Sequence, residues 1–442
     1  MEEVFITNNC FFIETYGCAS NKADSNIMIS LLQNSGYIKT DIEKAKFIII
    51  NTCAVKEQTE NKIKTRFQHL YKYSIKNPNK KIVITGCLPH ITSNYINLIK
   101  RIIPNFSAVI DMNSINKIVS VFNEINAGSE NLIIKSEKKI DKSKFLIEFP
   151  EKKITGIIPI SEGCLGSCTY CCVKNARGKL NCNNPEYIIN NIKFQLENGI
   201  KQIYLTSQDC SIYNYKETSL AKLVKNINNI KHDFFLRIGM INPSFLIKNF
   251  DQLLEIFEFD KVYQFLHIPL QSGSNNILRK MNRNYSIPSI IKKIDILKKK
   301  FQNLTISTDI ICGFPGETEY DFLRTINIIK WLRPEIINIS KFTPRPGTKA
   351  KKMIQLDSKI IKNRSIRLSK IFRRSLEYIN QKWNEWEGKV LLLHKGSEEN
   401  QAFGRNFAYK NVFINDYNVD FGEFIKVKIY KVDGFNLFGK TI

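Results

Sequence analysis

From Asn9 to Asn123 the chain repeats one pattern of apolar and polar positions: an apolar run, a Gly or Thr, a cysteine, a polar turn, then a segment with helical spacing of apolar residues. The instances are Phe11 to Gly17 before Cys18, Phe47 to Thr52 before Cys53, and Ile82 to Gly86 before Cys87. Successive cysteines stand 35 and 34 residues apart, a period that suits βα units and predicts a parallel sheet. Right-handed crossovers carry the carboxyl ends of such strands to one edge, where the three thiols should converge. From Glu124 to Lys153 the periodicity is lost, and polar runs such as Lys135-Ser136-Glu137-Lys138-Lys139 read as connecting structure. A second α/β region opens at Ile154. Its first strand is Ile157-Ile158-Pro159-Ile160, and strand-like runs then alternate with helical ones at Ile203 to Thr206, Phe234 to Ile238, Phe265 to Leu270, Leu304 to Cys312 and Ile336 to Phe342. That makes six βα units, a partial barrel. Asp357 to Glu387 has a helical period, and Lys389 to Ile442 returns to short strands with turns at Gly396, Gly404, Gly422 and Gly434. The expected fold class is α/β: an N-terminal parallel-sheet βα domain over 9–123, a central partial (βα)6 barrel over 154–380, and a small antiparallel β-barrel of the oligonucleotide-binding (OB) type over 383–442.

Composition narrows the class. With 442 residues, 43% hydrophobic and 24% charged, the chain can bury several cores and is neither disordered nor a disulfide framework. No run approaches the roughly 18 apolar residues of a membrane helix, and Met1-Glu2-Glu3 is acidic where a secretory signal is basic. A cytoplasmic protein with no membrane partner is expected. Sixty-six Lys and Arg against 41 Asp and Glu leave a net charge of +25, which concentrates polyanions such as RNA around the molecule. The competing reading is that many lysines only solvate the surface. The helical segment carries Lys359, Lys362, Arg364, Arg367, Lys370, Arg373 and Arg374 at spacings of three and four, which suits either RNA contact or a solvated face. In the terminal barrel, Phe407 and Tyr409 are candidates for base stacking or for the barrel core.

Eleven cysteines in a reducing compartment favour metal or catalytic roles. Cys18, Cys53 and Cys87, with no repeated His, suit an iron–sulfur cluster with one open iron; packing as small hydrophobes is the alternative. After Ile160 comes Ser161-Glu162-Gly163-Cys164-Leu165-Gly166-Ser167-Cys168-Thr169-Tyr170-Cys171. Its C-x3-C-x2-C spacing is the radical S-adenosylmethionine (SAM) signature; a zinc ribbon recruiting Cys172 or Cys182 is the alternative. Polar groups cluster at the barrel strands' carboxyl ends, where such architectures bind ligands: Ser207-Gln208-Asp209, Arg237, His267, Gln271-Ser272-Gly273 and Gly313 to Glu317. Asp209 or Gln208 is expected to accept from the SAM amine and Arg237 to pair with its carboxylate, with Gln271 beside them. His267 is left between a site role and a satisfied core histidine. Cys10, Cys172, Cys182, Cys210 and Cys312 complete no ligand spacing and read as packing residues.

The order of Cys18, Cys53 and Cys87, then Cys164, Cys168 and Cys171, then a small terminal barrel resembles the radical SAM methylthiotransferases over nearly the whole chain. The archaeal and eukaryotic branch is resembled by Thr15-Tyr16-Gly17-Cys18, Asn51-Thr52-Cys53-Ala54-Val55-Lys56, Gly163-Cys164-Leu165-Gly166 and Lys174-Asn175-Ala176-Arg177-Gly178-Lys179-Leu180. Arg237 to Pro243, Phe265 to Ser274 and Asp309 to Thr318 extend the match. The resemblance implies an auxiliary-cluster domain, a radical SAM core and a terminal TRAM domain. It also implies two 4Fe–4S clusters held by the six cysteines, SAM as methyl donor and as radical source, and methylthiolation at carbon 2 of N6-threonylcarbamoyladenosine in tRNA. The implied partners are tRNA, an electron donor and a sulfur donor, with no DNA. Gln208 departs from the pattern, where an acidic residue is common, and Cys182-Asn183 replaces Ser-Tyr. A methylthiotransferase acting on a ribosomal protein and a zinc-dependent RNA-binding protein are the alternatives.

Overall fold

A computed structural model describes residues 9–148, 153–415, 417 and 420–442. It divides into two compact units, the first drawn from Met1–Pro150, Pro159–Asn191 and Thr343–Lys351, the second from Glu151–Ile158, Ile192–Phe342 and Lys352–Ile442.

The first unit is built on six parallel strands: β1 (Cys10–Thr15), β2 (Ile38–Lys39), β3 (Phe47–Thr52), β4 (Lys81–Gly86), β5 (Ala108–Ile110) and β6 (Leu132–Ile134). Their order is β2-β1-β3-β4-β5-β6. Alternation sends Ile48, Ile50, Ile82 and Ile84 into one core, and Phe47, Ile49 and Val83 into the other. Every residue of the central strand β3 is buried, the near-continuous apolar run expected of a sheet covered by helices on both faces. The residues read as connecting structure are corrected here: β6 forms the far edge strand, and Lys142 and Ser143 are buried. A three-residue strand is too short to display alternation, and a buried lysine leaves no hydropathy signal.

The second unit holds the expected six barrel strands: β7 (Thr155–Pro159), β8 (Gln202–Thr206), β9 (Phe235–Ile238), β10 (Phe265–His267), β11 (Thr305–Cys312) and β12 (Ile336–Lys341). They run β9-β8-β7 and β10-β11-β12, joined by a parallel bridge between Leu236 and Val262. Five further strands, β13 (Glu387–Lys395), β14 (Gln401–Asn406), β15 (Asn411–Asn415), β16 (Phe424–Asp433) and β17 (Asn436–Thr441), close a barrel in the order β13-β14-β15-β17-β16 around Trp383. The barrel is not wholly antiparallel, as expected from sequence, because β15 and β17 pair in parallel. The β16–β17 hairpin lays its first strand back on β13, which leaves its second strand beside β15 and pointing the same way.

Candidate functional site

Parallel register brings Cys18, Cys53 and Cys87 to one edge, each just past the end of β1, β3 or β4. Cys53 and Cys87 are buried and Cys18 is exposed. Asn21, in the first turn of the helix Ala19–Asn34, binds the three loops together. Its amide donates to the carbonyls of Tyr16 at 2.8 Å and Thr52 at 2.7 Å, and its Oδ1 lies 3.9 Å from Cys18 Sγ and 3.8 Å from Cys87 Sγ. Gly17 sits at φ +112°, and a Cβ there would meet Cys53 Sγ at 2.9 Å; only glycine combines that backbone with that space. Burial pushes the Cys87 thiol up to about 12, Arg177 opposing it.

The second triad follows on the loop after Ile160. Cys164, Cys168 and Cys171 are half-buried. A Cβ on Gly166 would stand 3.2 Å from Cys164 Sγ and 3.9 Å from Cys168 Sγ, and the Gly166 N–H donates to Cys164 Sγ at 3.2 Å. Burial pushes the Cys171 thiol up to about 11. One residue on, Cys172 packs into the core of the sheet and donates to the carbonyl of Ala54, the neighbour of Cys53, at 3.3 Å. Arg345 holds the same carbonyl at 2.8 Å and pairs with buried Glu60 at 2.6 Å. Both triads therefore belong to one unit, stitched at adjacent residues. None of the six is joined in a disulfide. Among the described residues no three His, Cys, Asp or Glu side chains gather as ligands of a single metal ion. The donor set is thiol only, and glycines leave room against the sulfurs, so the residues fit the wider body of an iron–sulfur cluster.

Behind the first triad lies a closed ring of buried charge. Arg177 donates to Asp24 Oδ2 at 2.7 Å and Glu162 Oε1 at 2.9 Å, and Lys142 donates to Asp24 Oδ1 at 2.6 Å and forms an ion pair with Glu162 Oε2 at 2.8 Å. Burial alone would raise the Asp24 carboxyl, yet Arg177 and Lys142 hold it below its usual range. The guanidinium also donates to Asn21 Oδ1 at 2.8 Å and, through Nε, to Cys87 Sγ at 3.3 Å.

The barrel residues are less uniform than the sequence suggests. Asp209 is turned into the fold: its Oδ1 accepts from the Ser211 N–H at 3.0 Å, the Ser211 hydroxyl, and the Asn242 N–H at 3.4 Å. The short turn after β8 needs a cap, and this buried carboxylate supplies it. Gln208 is half-buried. Arg237 lies mid-strand, its guanidinium 4.9 Å from the rings of Tyr204 and Phe265 and 5.0 Å from that of Tyr409. Gln271 holds φ +64° and pairs with β11. His267 Nε2 meets Asp309 Oδ2 at 2.6 Å, with side chains 19% and 29% exposed, so the histidine is no core residue. Asp309 was not anticipated, although a carboxylate inside the strand Thr305–Cys312 is itself a signal. Tyr409 is buried and bonds Tyr204 at 2.6 Å; of its two readings the structure supports packing, against the β8 to β10 aromatics.

Residues 10–108 match the uncharacterized protein family UPF0004, and residues 158–329 match the Radical SAM superfamily. A probable threonylcarbamoyladenosine tRNA methylthiotransferase of Pyrococcus horikoshii is 37% identical over 98% of this chain and 99% of its own length. The chain belongs to the threonylcarbamoyladenosine tRNA methylthiotransferase family. The human member of this methylthiotransferase family is 31% identical over 95% of this chain and 72% of its own length. The radical SAM methyltransferase TsrM from Kitasatospora setae shares the fold, with a TM-score of 0.56 at 12% identity over 78% of this chain and 77% of that one. As a radical SAM methylthiotransferase the chain uses SAM and a 4Fe–4S cluster. Among the described residues no helix is long and apolar enough to cross a membrane.

Proposed function

We propose that this protein installs a methylthio group at carbon 2 of the adenine in N6-threonylcarbamoyladenosine, beside the anticodon of tRNA. Two 4Fe–4S clusters serve it, one on Cys164, Cys168 and Cys171 and an auxiliary one on Cys18, Cys53 and Cys87. The observation that carries this reading is the presence of both thiol triads in one compact unit, linked where Cys172 bonds Ala54. When bound, a 4Fe–4S cluster with SAM supplies homolytic chemistry, which a carbon–hydrogen bond that is neither acidic nor joined to a leaving group requires. The chain's own residues position and enclose. Gln208, Gln271 and the His267–Asp309 pair offer polar contacts to SAM or nucleoside at the barrel mouth, and Arg237 presents a cation held over aromatic rings. An electron donor and a sulfur donor complete the partners; the three domains are the auxiliary-cluster domain expected over 9–123 and extended to take in β6, the radical SAM core over 154–380 and the terminal barrel over 383–442.

For tRNA, the exposed cations of the helix Ser358–Ile379 are Lys359, Lys362, Lys370, Arg373 and Arg374. A second surface lies on the closed barrel. Phe403, Phe413 and Phe438 point outward from β14, β15 and β17 in a continuous row, Phe403 edge-on to Phe413 at 5.3 Å between centroids and Phe413 stacked on Phe438 at 5.7 Å. Arg405 and Lys431 lie over the rings of Phe403 and Phe438, the combination of stacking platform and cations that holds single-stranded bases.

Mass spectrometry of tRNA nucleosides tests the reading. Cells lacking the protein should lose 2-methylthio-N6-threonylcarbamoyladenosine and retain its unmodified precursor. An unchanged nucleoside profile together with a missing methylthio mass on a ribosomal protein would replace tRNA with that substrate.

A further inference from the structure

The ring of Asp24, Lys142, Glu162 and Arg177 does more than neutralise buried charge. Two carboxylates face two cations, all with side-chain exposures of 6% or less. Buried ion pairs of this kind are poor sources of stability compared with apolar packing, so their retention calls for another role. Not every N–H of the guanidinium is spent on the ring. Nε points at Cys87 Sγ, 3.3 Å away, while both terminal nitrogens are fixed by Glu162, Asp24 and Asn21. The planar fork cannot satisfy those three without aiming Nε at the sulfur.

We infer that Arg177 is a positioning residue for the auxiliary cluster: its charged hydrogen bond holds the Cys87 sulfur and makes this cluster more easily reduced than it would be without that donor. The inference rests on the two-cluster reading above. Hydrogen bonds to ligand sulfur stabilise the more negative, reduced state of an iron–sulfur cluster, and a charged donor does so about twice as strongly as a neutral one. The other triad receives backbone donors, from Gly166 to Cys164 and from Val173 and Lys174 to Cys171. Cys53 likewise receives a backbone N–H, from Val55 at 3.5 Å. The contact has a structural source. Arg177 closes the short helix Val173–Arg177 that follows Cys171, so the loop carrying one set of thiols supplies the charged donor to the other.

The test uses the full chain with Cys164, Cys168 and Cys171 replaced by Ala, labelled with 15N-arginine and reconstituted anaerobically. Iron at about half the content of the unmodified protein establishes the auxiliary site; no iron in a folded chain overturns the two-cluster reading itself. With iron present, electron–nuclear double resonance of the reduced cluster should show a 15N coupling, and Arg177→Lys should abolish it. The midpoint potential should move to more negative values in Arg177→Lys, which keeps the charge but loses the Nε donor. It should do the same in Asp24→Asn with Arg177→Gln, which keeps the ring neutral. Retained iron with no 15N coupling in the parent, or with potentials unmoved in both variants, would refute a role for Arg177 beyond folding.

Discussion

Gln271 holds its backbone in the left-handed region, at φ +64°, where an L-residue other than glycine carries roughly 1–2 kcal/mol of strain. Its N–H and C=O are both fixed by β11, to the Asp309 carbonyl at 2.7 Å and the Ile311 N–H at 2.9 Å, so the surroundings enforce the conformation. Strain of this kind persists where a side chain is wanted at that point. Gln271→Gly should therefore keep or raise the melting temperature while lowering SAM affinity or turnover several-fold; a variant that melts lower and turns over normally would refute a functional reason for the strain. The cysteines were legible from sequence because their spacing repeats along the chain. Arg177, Asn21 and Asp309 were not assigned roles, because their partners are remote: Arg177 and Asp24 are 153 positions apart, and no local pattern announces such a pair.

The helix Ser358–Ile379 shows what periodicity conveys and what it leaves out. Its apolar stripe, Ile361, Leu368, Phe372 and Leu376, is buried as the three-and-four spacing predicts. Arg364 shares that face and is no RNA candidate, since it pairs with Glu317 at 2.8 Å with 6% of its side chain exposed. Arg367 is tied to exposed Glu319 at 2.6 Å. The solvent face is left to Lys359, Lys362, Lys370, Arg373 and Arg374. Reversing Lys370, Arg373 and Arg374 to Glu should weaken tRNA binding and flatten its salt dependence by about 0.7–0.9 in log–log slope per lost phosphate contact. SAM cleavage without RNA should be untouched. An affinity and slope like those of the parent would return this face to simple solvation. Among the strands, long alternating runs were read correctly, whereas β6 and the parallel β15–β17 pairing depend on which edge lies free after the rest has assembled.

Across the second unit, Lys410 fastens the closed barrel to its neighbours, donating to Asn380 Oδ1 at 2.9 Å and lying 3.6 Å from Glu335. Burial lowers its ammonium to about 8, with Glu335 opposing. The folded value lies below the unfolded value of about 10.4, so the unfolded chain holds the additional proton between them. Stability should rise with pH across that window by up to about 1.4 kcal/mol per pH unit. Urea unfolding of the parent and of Lys410→Met from about pH 8 to about pH 10 should show the parent gaining on the variant; parallel curves would contradict the burial cost. The first unit raises a matter of timing during synthesis. Its six strands are complete at Ile134, yet the buried acids Asp24 and Glu60 wait for guanidinium groups from Arg177 and Arg345. At about 5–20 residues per second a ribosome needs roughly 10 to 40 s to carry translation from the last strand to Arg345. Through that interval the edge bearing Cys18, Cys53 and Cys87 lacks the Arg345 contacts to Ala54 and Glu60. Because Cys172 and Arg345 meet at the same Ala54 carbonyl, the two sets of thiols should settle into their final places together, after most of the chain has emerged, and not in the order in which they were translated.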